Sequence, residues 1–168
     1  MKKKFLDYYM SIADLTSELS SAIRKQVGAV VVNGNKILAT GYNGMPSGWT
    51  NECEYKDYMS GDAGGWLSPE EITEQWPLED EGNRRYRLVT KDEVLHAESN
   101  ALMKVSASTE SSEGATMFCT HAPCINCAKL IYQSGINSLY YRNAYRDNSG
   151  VEFLEKSGVN VNQYTTQS

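Results

Sequence analysis

Histidine is scarce in this chain. Only two occur in 168 residues, beside four cysteines, four prolines and three phenylalanines. Four cysteines are too few for a disulfide framework in a chain of this size and read as reduced thiols or metal ligands. With so few prolines and 13 glycines, nothing is collagen-like or of low complexity, and no internal repeat is visible. Basic residues are outnumbered, 16 against 21 acidic, for a net charge of −5. That balance excludes a long groove for a polynucleotide, which needs a basic footprint, but a small anionic ligand needs only local cations. No apolar run approaches the length of a membrane span. Met1-Lys2-Lys3-Lys4 resembles the start of an export signal, but Asp7, Asp14 and Glu18 interrupt the apolar run that such a signal needs next. The expectation is a cytoplasmic chain (host cytoplasm if viral) without a membrane partner.

The length and balance of the chain suit one domain over residues 1–168. Phe5, Tyr9, Ile12, Ala13, Leu19 and Ile23 recur at helical spacing and predict a helix over 5–23. Val27-Gly28-Ala29-Val30-Val31-Val32 is a short β-branched run and reads as a buried strand. Asn33-Gly34-Asn35 turns it into a second strand, Lys36 to Tyr42. Residues 49–90 show no clear pattern and form an insertion, apart from a short helix starting at Ser68-Pro69. Beyond it the chain alternates: helix from His96, strand over 115–120, helix from Cys124, strand over 136–141, helix over 146–156, strand from Val159. Alternation of this kind predicts an α/β three-layer sandwich. Its five-stranded mixed sheet has one antiparallel opening hairpin, and the remaining strands are parallel.

Two short segments carry the chemistry, His96-Ala97-Glu98 and Pro123-Cys124-Ile125-Asn126-Cys127. One imidazole and two thiols make a three-ligand set for zinc, and catalytic zinc keeps its fourth position for water. Glu98 is better used beside the ion than on it, as an acid/base group for that water. A structural zinc would normally have four Cys or His ligands, and only three line up. Both segments begin helices, so their N-termini can meet across one pocket and favour thiolates. His121 can line that pocket or compete for the metal. Cys119 reads as a small buried hydrophobe and Cys53 as structural. Arg84-Arg85-Tyr86-Arg87 is either a solvated face or a contact for a triphosphate.

On these segments, together with Gly41-Tyr42-Asn43-Gly44-Met45-Pro46-Ser47-Gly48 and Gly114-Ala115-Thr116-Met117, the chain resembles the cytidine and deoxycytidylate deaminase superfamily, and within it the deoxycytidylate branch. The resemblance implies a cytidine deaminase-like fold and one catalytic zinc on His96, Cys124 and Cys127. It implies hydrolysis of dCMP to dUMP and ammonia, supplying dUMP for dTMP synthesis, with Glu98 as proton shuttle. Asn43 would meet the sugar, Ala97 the pyrimidine edge through its backbone and Tyr145 the base; Arg24 and Lys25, just before the first strand, could meet the phosphate if the start of that strand flanks the pocket. It also implies a homohexamer activated by dCTP with Mg2+ and inhibited by dTTP; Asn43, Gly44, Ser47, Arg84 and Arg85 are the candidate effector contacts. Other readings are a deaminase of another cytosine or adenine substrate, or a nucleotide-binding regulator without turnover. A second, structural zinc in the insertion is doubtful, because only Cys53 stands there. The family's usual leucine after His-Ala-Glu is Ser99 here.

Overall fold

The computed structural model describes residues 1–61, 65–145 and 147–165. The elements run α1 (Lys3–Ser17), β1 (Gly28–Asn33), β2 (Lys36–Tyr42), β3 (Glu54–Tyr58), α2 (Pro69–Gln75), β4 (Leu78–Glu79), β5 (Arg85–Thr90), α3 (Ala97–Ser106), β6 (Thr116–His121), α4 (Ile125–Gln133), β7 (Ser138–Asn143), α5 (Ser149–Lys156) and β8 (Asn160–Gln163). Arg146, where the sequence starts the last helix, lies outside the described residues.

Strand periodicity divides the apolar residues between two cores. On β1, Ala29 and Val31 face one way and Val30 and Val32 the other; on β6, Met117 and Cys119 oppose Phe118. Tyr9, Met10 and Ala13 of α1 cover the Val30 face. Ala101, Leu102 and Val105 of α3, Ala128 and Ile131 of α4 and Leu154 of α5 cover the Val31 face. The result is a three-layer α/β sandwich around a five-stranded sheet in the order β2-β1-β6-β7-β8.

The pairing is less parallel than the sequence pattern implies. β6, β7 and β8 are mutually parallel, but β6 lies against β1 and runs antiparallel to it. Because β2 is also antiparallel to β1, that strand alone opposes the other four. Consequently the start of β1 and the ends of β2, β6 and β7 share one edge of the sheet. Open α/β sheets bind ligands outside the carboxyl ends of their parallel strands.

Two local departures have clear causes. The first helix stops at Ser17, short of the expected Ile23. There the Thr16 and Ser17 hydroxyls donate to the carbonyls of Ile12 and Asp14, and further on the Ser20 hydroxyl donates to the Asn43 carbonyl. Leu19 and Ile23 therefore lie exposed off the helix. The insertion is also more ordered than its pattern predicts: β3, β5 and β4 form a separate antiparallel sheet. α2 begins where expected. The Ser68 hydroxyl accepts from the Glu71 N–H, and the Glu71 carboxylate accepts from the Ser68 N–H.

Candidate active site

His96 is the N-cap of α3 and Cys124 the N-cap of α4, so two helix starts face each other at the shared edge. Three constraints fix His96. Gly44 and Leu95 exchange two backbone hydrogen bonds of 3.1 and 2.9 Å just before it. The Asn100 side chain donates to the Tyr42 carbonyl. Gly41 lets α3 lie on β2 so closely that a Cβ there would strike the Ala97 carbonyl and come within 2.5 Å of the Ala101 nitrogen.

The donor set fits zinc. Bonds of about 2.3 Å to sulfur and 2.0–2.1 Å to nitrogen at a tetrahedral angle separate the two atoms by about 3.6 Å. His96 Nδ1 lies 3.6 Å from Cys124 Sγ and 3.3 Å from Cys127 Sγ, and all three donor atoms fall within 4.8 Å of one another. No second group of three His, Cys, Asp or Glu donors occurs among the described residues. Between the sulfurs charge is shared unequally. The hydrogen bond from Cys127, followed by that from His96, draws the Cys124 thiol down to about 3; the same bond and then burial push Cys127 up. A dication is the partner that allows both to be thiolates.

Glu98 is 4% exposed, in the first turn of α3 beside these donors. Burial raises its pKa, against its own backbone N–H, His96 and a hydrogen bond from Cys127. A carboxyl so placed holds a proton more readily than an exposed one and can return it.

His96, Glu98 and Cys124 adjoin a cavity of about 390 Å³, within the range of small-ligand sites. Ala97, Asn43, Lys25 and Tyr145 line it with His96, Glu98 and Cys124. Lys25 Nζ lies 5.0 Å from the centre of the Tyr145 ring. The Asn43 amide is bound to the segment before β1. Its Oδ1 accepts from the Val27 N–H at 2.7 Å and its Nδ2 donates to the Lys25 carbonyl at 2.9 Å. Asn43 thereby holds Lys25 at the wall. His121 lines the cavity as well and stands outside the donor group.

Comparison with known proteins decides the family. The profile of the cytidine and deoxycytidylate deaminase zinc-binding region matches residues 3–143. The chain belongs to the cytidine and deoxycytidylate deaminase family. It is 34% identical over 170 residues to the deoxycytidylate deaminase of Enterobacteria phage T4, covering 90% of this chain and 86% of that protein. With human deoxycytidylate deaminase it shares 34% identity over 138 residues, 80% of this chain and 62% of that one. A crystal structure of dCMP deaminase from cyanophage S-TIM5 in complex with dCMP and dUMP superposes with a TM-score of 0.76. It is 39% identical and covers 98% of this chain and 99% of that one.

Not every expected contact of this deaminase-family chain gathers at the cavity. Ser47 is exposed on the turn after Asn43 and Gly44. Arg84 and Arg85 stand apart, lining a second, more open cavity with Tyr58, Met59 and Ile72. Arg84 Nη2 is 2.7 Å from Asp80, and Arg85 Nε is 3.5 Å from Glu79. Cys53 is buried against Ala22, Val94 and Met45. Cys119 is fully buried in the main core, and Ser99 donates to the His96 carbonyl at 3.0 Å.

The deaminase-family cavity also has walls that sequence reasoning missed. Glu54 of β3 and Thr90 of β5 come from the insertion. The Glu54 carboxylate accepts from the N–H groups of Ile23 and Arg24 at 3.1 Å each, and Arg24 Nη1 donates to Thr90 at 3.1 Å. Neither residue has a local motif; only the register that pairs Glu54 with Thr90 brings them together.

Proposed function

We propose that this chain hydrolyses dCMP to dUMP and ammonia, using zinc held by His96, Cys124 and Cys127. One observation carries the reading: a buried carboxyl, Glu98, stands beside a three-donor set at a cavity that also has Lys25 on its wall. A zinc ion held there would supply a water that ionises near neutral pH. Glu98 takes the water's proton and gives it to N3 of the cytosine as oxygen adds at C4. It then takes the proton of the new C4 hydroxyl and passes it to the amine, so that the C4–N bond breaks, C4 becomes a carbonyl and ammonia leaves. Ala97 offers its backbone to the pyrimidine edge, Tyr145 covers the base and Lys25 meets the phosphate. Asn43 holds that wall and lies within reach of the sugar. The names of the phage relatives, one solved with dCMP and dUMP, support dCMP as substrate.

The finer reading follows the same family. The whole chain acts as one catalytic domain with its insertion at 49–90, in the cytoplasm, and supplies dUMP for dTMP synthesis. It assembles as a homohexamer, with dCTP and Mg2+ activating and dTTP inhibiting. The β3–β5 ladder supports such regulation: its Glu54–Thr90 end meets the substrate cavity, and its Tyr58–Tyr86 end meets the cavity of Arg84 and Arg85.

The test is ammonia release by zinc-loaded protein from dCMP, cytosine and tRNA in parallel. Turnover of dCMP alone is expected; release from cytosine or tRNA without release from dCMP overturns the assignment. Velocity against dCMP should be sigmoidal and straightened by dCTP, and a hyperbola indifferent to dCTP and dTTP removes the regulatory reading.

A further inference from the structure

We propose that His121 is a recognition residue for the 5′-phosphate of the substrate, its Nε2–H donating to the phosphate beside Lys25. The inference rests on the nucleotide reading above and adds a residue to that site.

Thr120, at the end of β6, is 4% exposed. Its Oγ1 accepts from the Gly28 N–H at 3.1 Å. Its own hydroxyl proton has one acceptor among the described residues, His121 Nδ1 at 3.0 Å. A buried hydroxyl that cannot donate is costly, so the satisfied arrangement has Nδ1 accepting and the ring proton on Nε2. Nε2 has no hydrogen-bond partner among the described residues, and His121 forms part of the cavity wall. Burial, then the charge of Lys25, lower the pKa of His121, while Asp14 acts the other way. A neutral donor can sit by a lysine without repelling it.

The anion belongs here because no carboxylate of the described residues pairs with the cation on the wall. Lys25 is in no ion pair among the described residues and leans on Tyr145. The nearby carboxylate, Glu54, is engaged by the N–H groups of Ile23 and Arg24. A phosphate monoester fills this gap and takes a fixed N–H donor as well as a point charge.

The test uses full-length zinc-loaded protein. The chain holds two histidines, so histidine-selective 15N NMR resolves them. The Nε2–H form of His121 is expected, with a shift on adding deoxyribose 5-phosphate and none with deoxyribose. His121→Leu should raise KM for dCMP roughly ten- to a hundredfold, more than it lowers kcat, and narrow the preference for dCMP over deoxycytidine. His121→Gln, which keeps a donor, should recover part of that preference. Thr120→Val should act in the same direction as His121→Leu, and Thr120→Ser should not. An Nδ1–H form, an unchanged KM, or equal losses on dCMP and deoxycytidine would overturn the proposal. A wild-type protein that leaves dCMP intact fails the nucleotide reading instead, and the deoxyribose 5-phosphate titration still judges His121.

Discussion

Gly150, in the first turn of α5, lies against Cys124 so closely that no side chain fits between them. A Cβ at 150 would collide with the Pro123 carbonyl and sit 2.9 Å from the carbonyl carbon of Cys124. The packing of α5 therefore sets the position of Cys124, a member of the three-donor group, at the start of α4. Gly150→Ala should push the Cys124 backbone aside. The expected result is zinc affinity weakened about 10–100-fold, the cost typical of disturbed support around a ligand, measured by competition with a chromogenic chelator. Affinity equal to wild type would show that α5 yields instead of Cys124.

Glu98→Gln removes the ionisable carboxyl to which the proposal gives the proton shuttle, while keeping shape and hydrogen-bonding reach. Zinc content should stay at one per chain, and turnover of dCMP should fall by about 10²–10⁴-fold. A fall of less than tenfold would take the shuttle role from this residue.

Phe118 bridges the layers on the α1 side of the sheet. It is fully buried, with ring centroids 5.3 Å from Tyr9 and 5.2 Å from Tyr140. Phe118→Ala should destabilise the fold by about 3–5 kcal/mol in urea denaturation. A cost below about 1 kcal/mol would mean that α1 collapses freely onto the sheet.

Asp80 provides a pH test in the turn that carries Arg84. The Arg84 backbone N–H and then its guanidinium lower the Asp80 carboxyl from its ordinary 3.8 to about 2. A depressed carboxyl stabilises the folded turn fully above the unfolded value. That contribution declines as pH falls below about 4 and is gone below about 2. Carboxyl 13C NMR should give an Asp80 midpoint near 2, and a midpoint near 4 would show that Arg84 is not bound to it in solution.

The parts legible in the sequence are those whose signal is local. The apolar run before Asn33, the glycine turn after it and the two ligand segments each announce a structure over a few neighbours. The three-donor group is readable because the residues after His96 and Cys124 form helices, whose starts the fold then apposes. The strands of the insertion are not readable because neither face of β3 or β5 is fully buried. Without a buried face, no alternation of apolar and polar residues is required. The end of α1 misleads for the opposite reason. Leu19 and Ile23 continue its spacing, although the Ser20 hydroxyl is already committed to the Asn43 carbonyl.

The attachment of Glu54 bears on how this chain can be shortened. Excising the insertion would strip the N–H groups of Ile23 and Arg24 of their acceptor and uncover Ala22, Val94 and Met45 where Cys53 now rests. A trimmed variant would need a replacement carboxylate and a new apolar plug before the segment carrying Lys25 could hold its course. The excursion between the second strand and His96 is thus masonry of the binding chamber, and a minimal catalyst built from this scaffold has to keep at least its two longer strands.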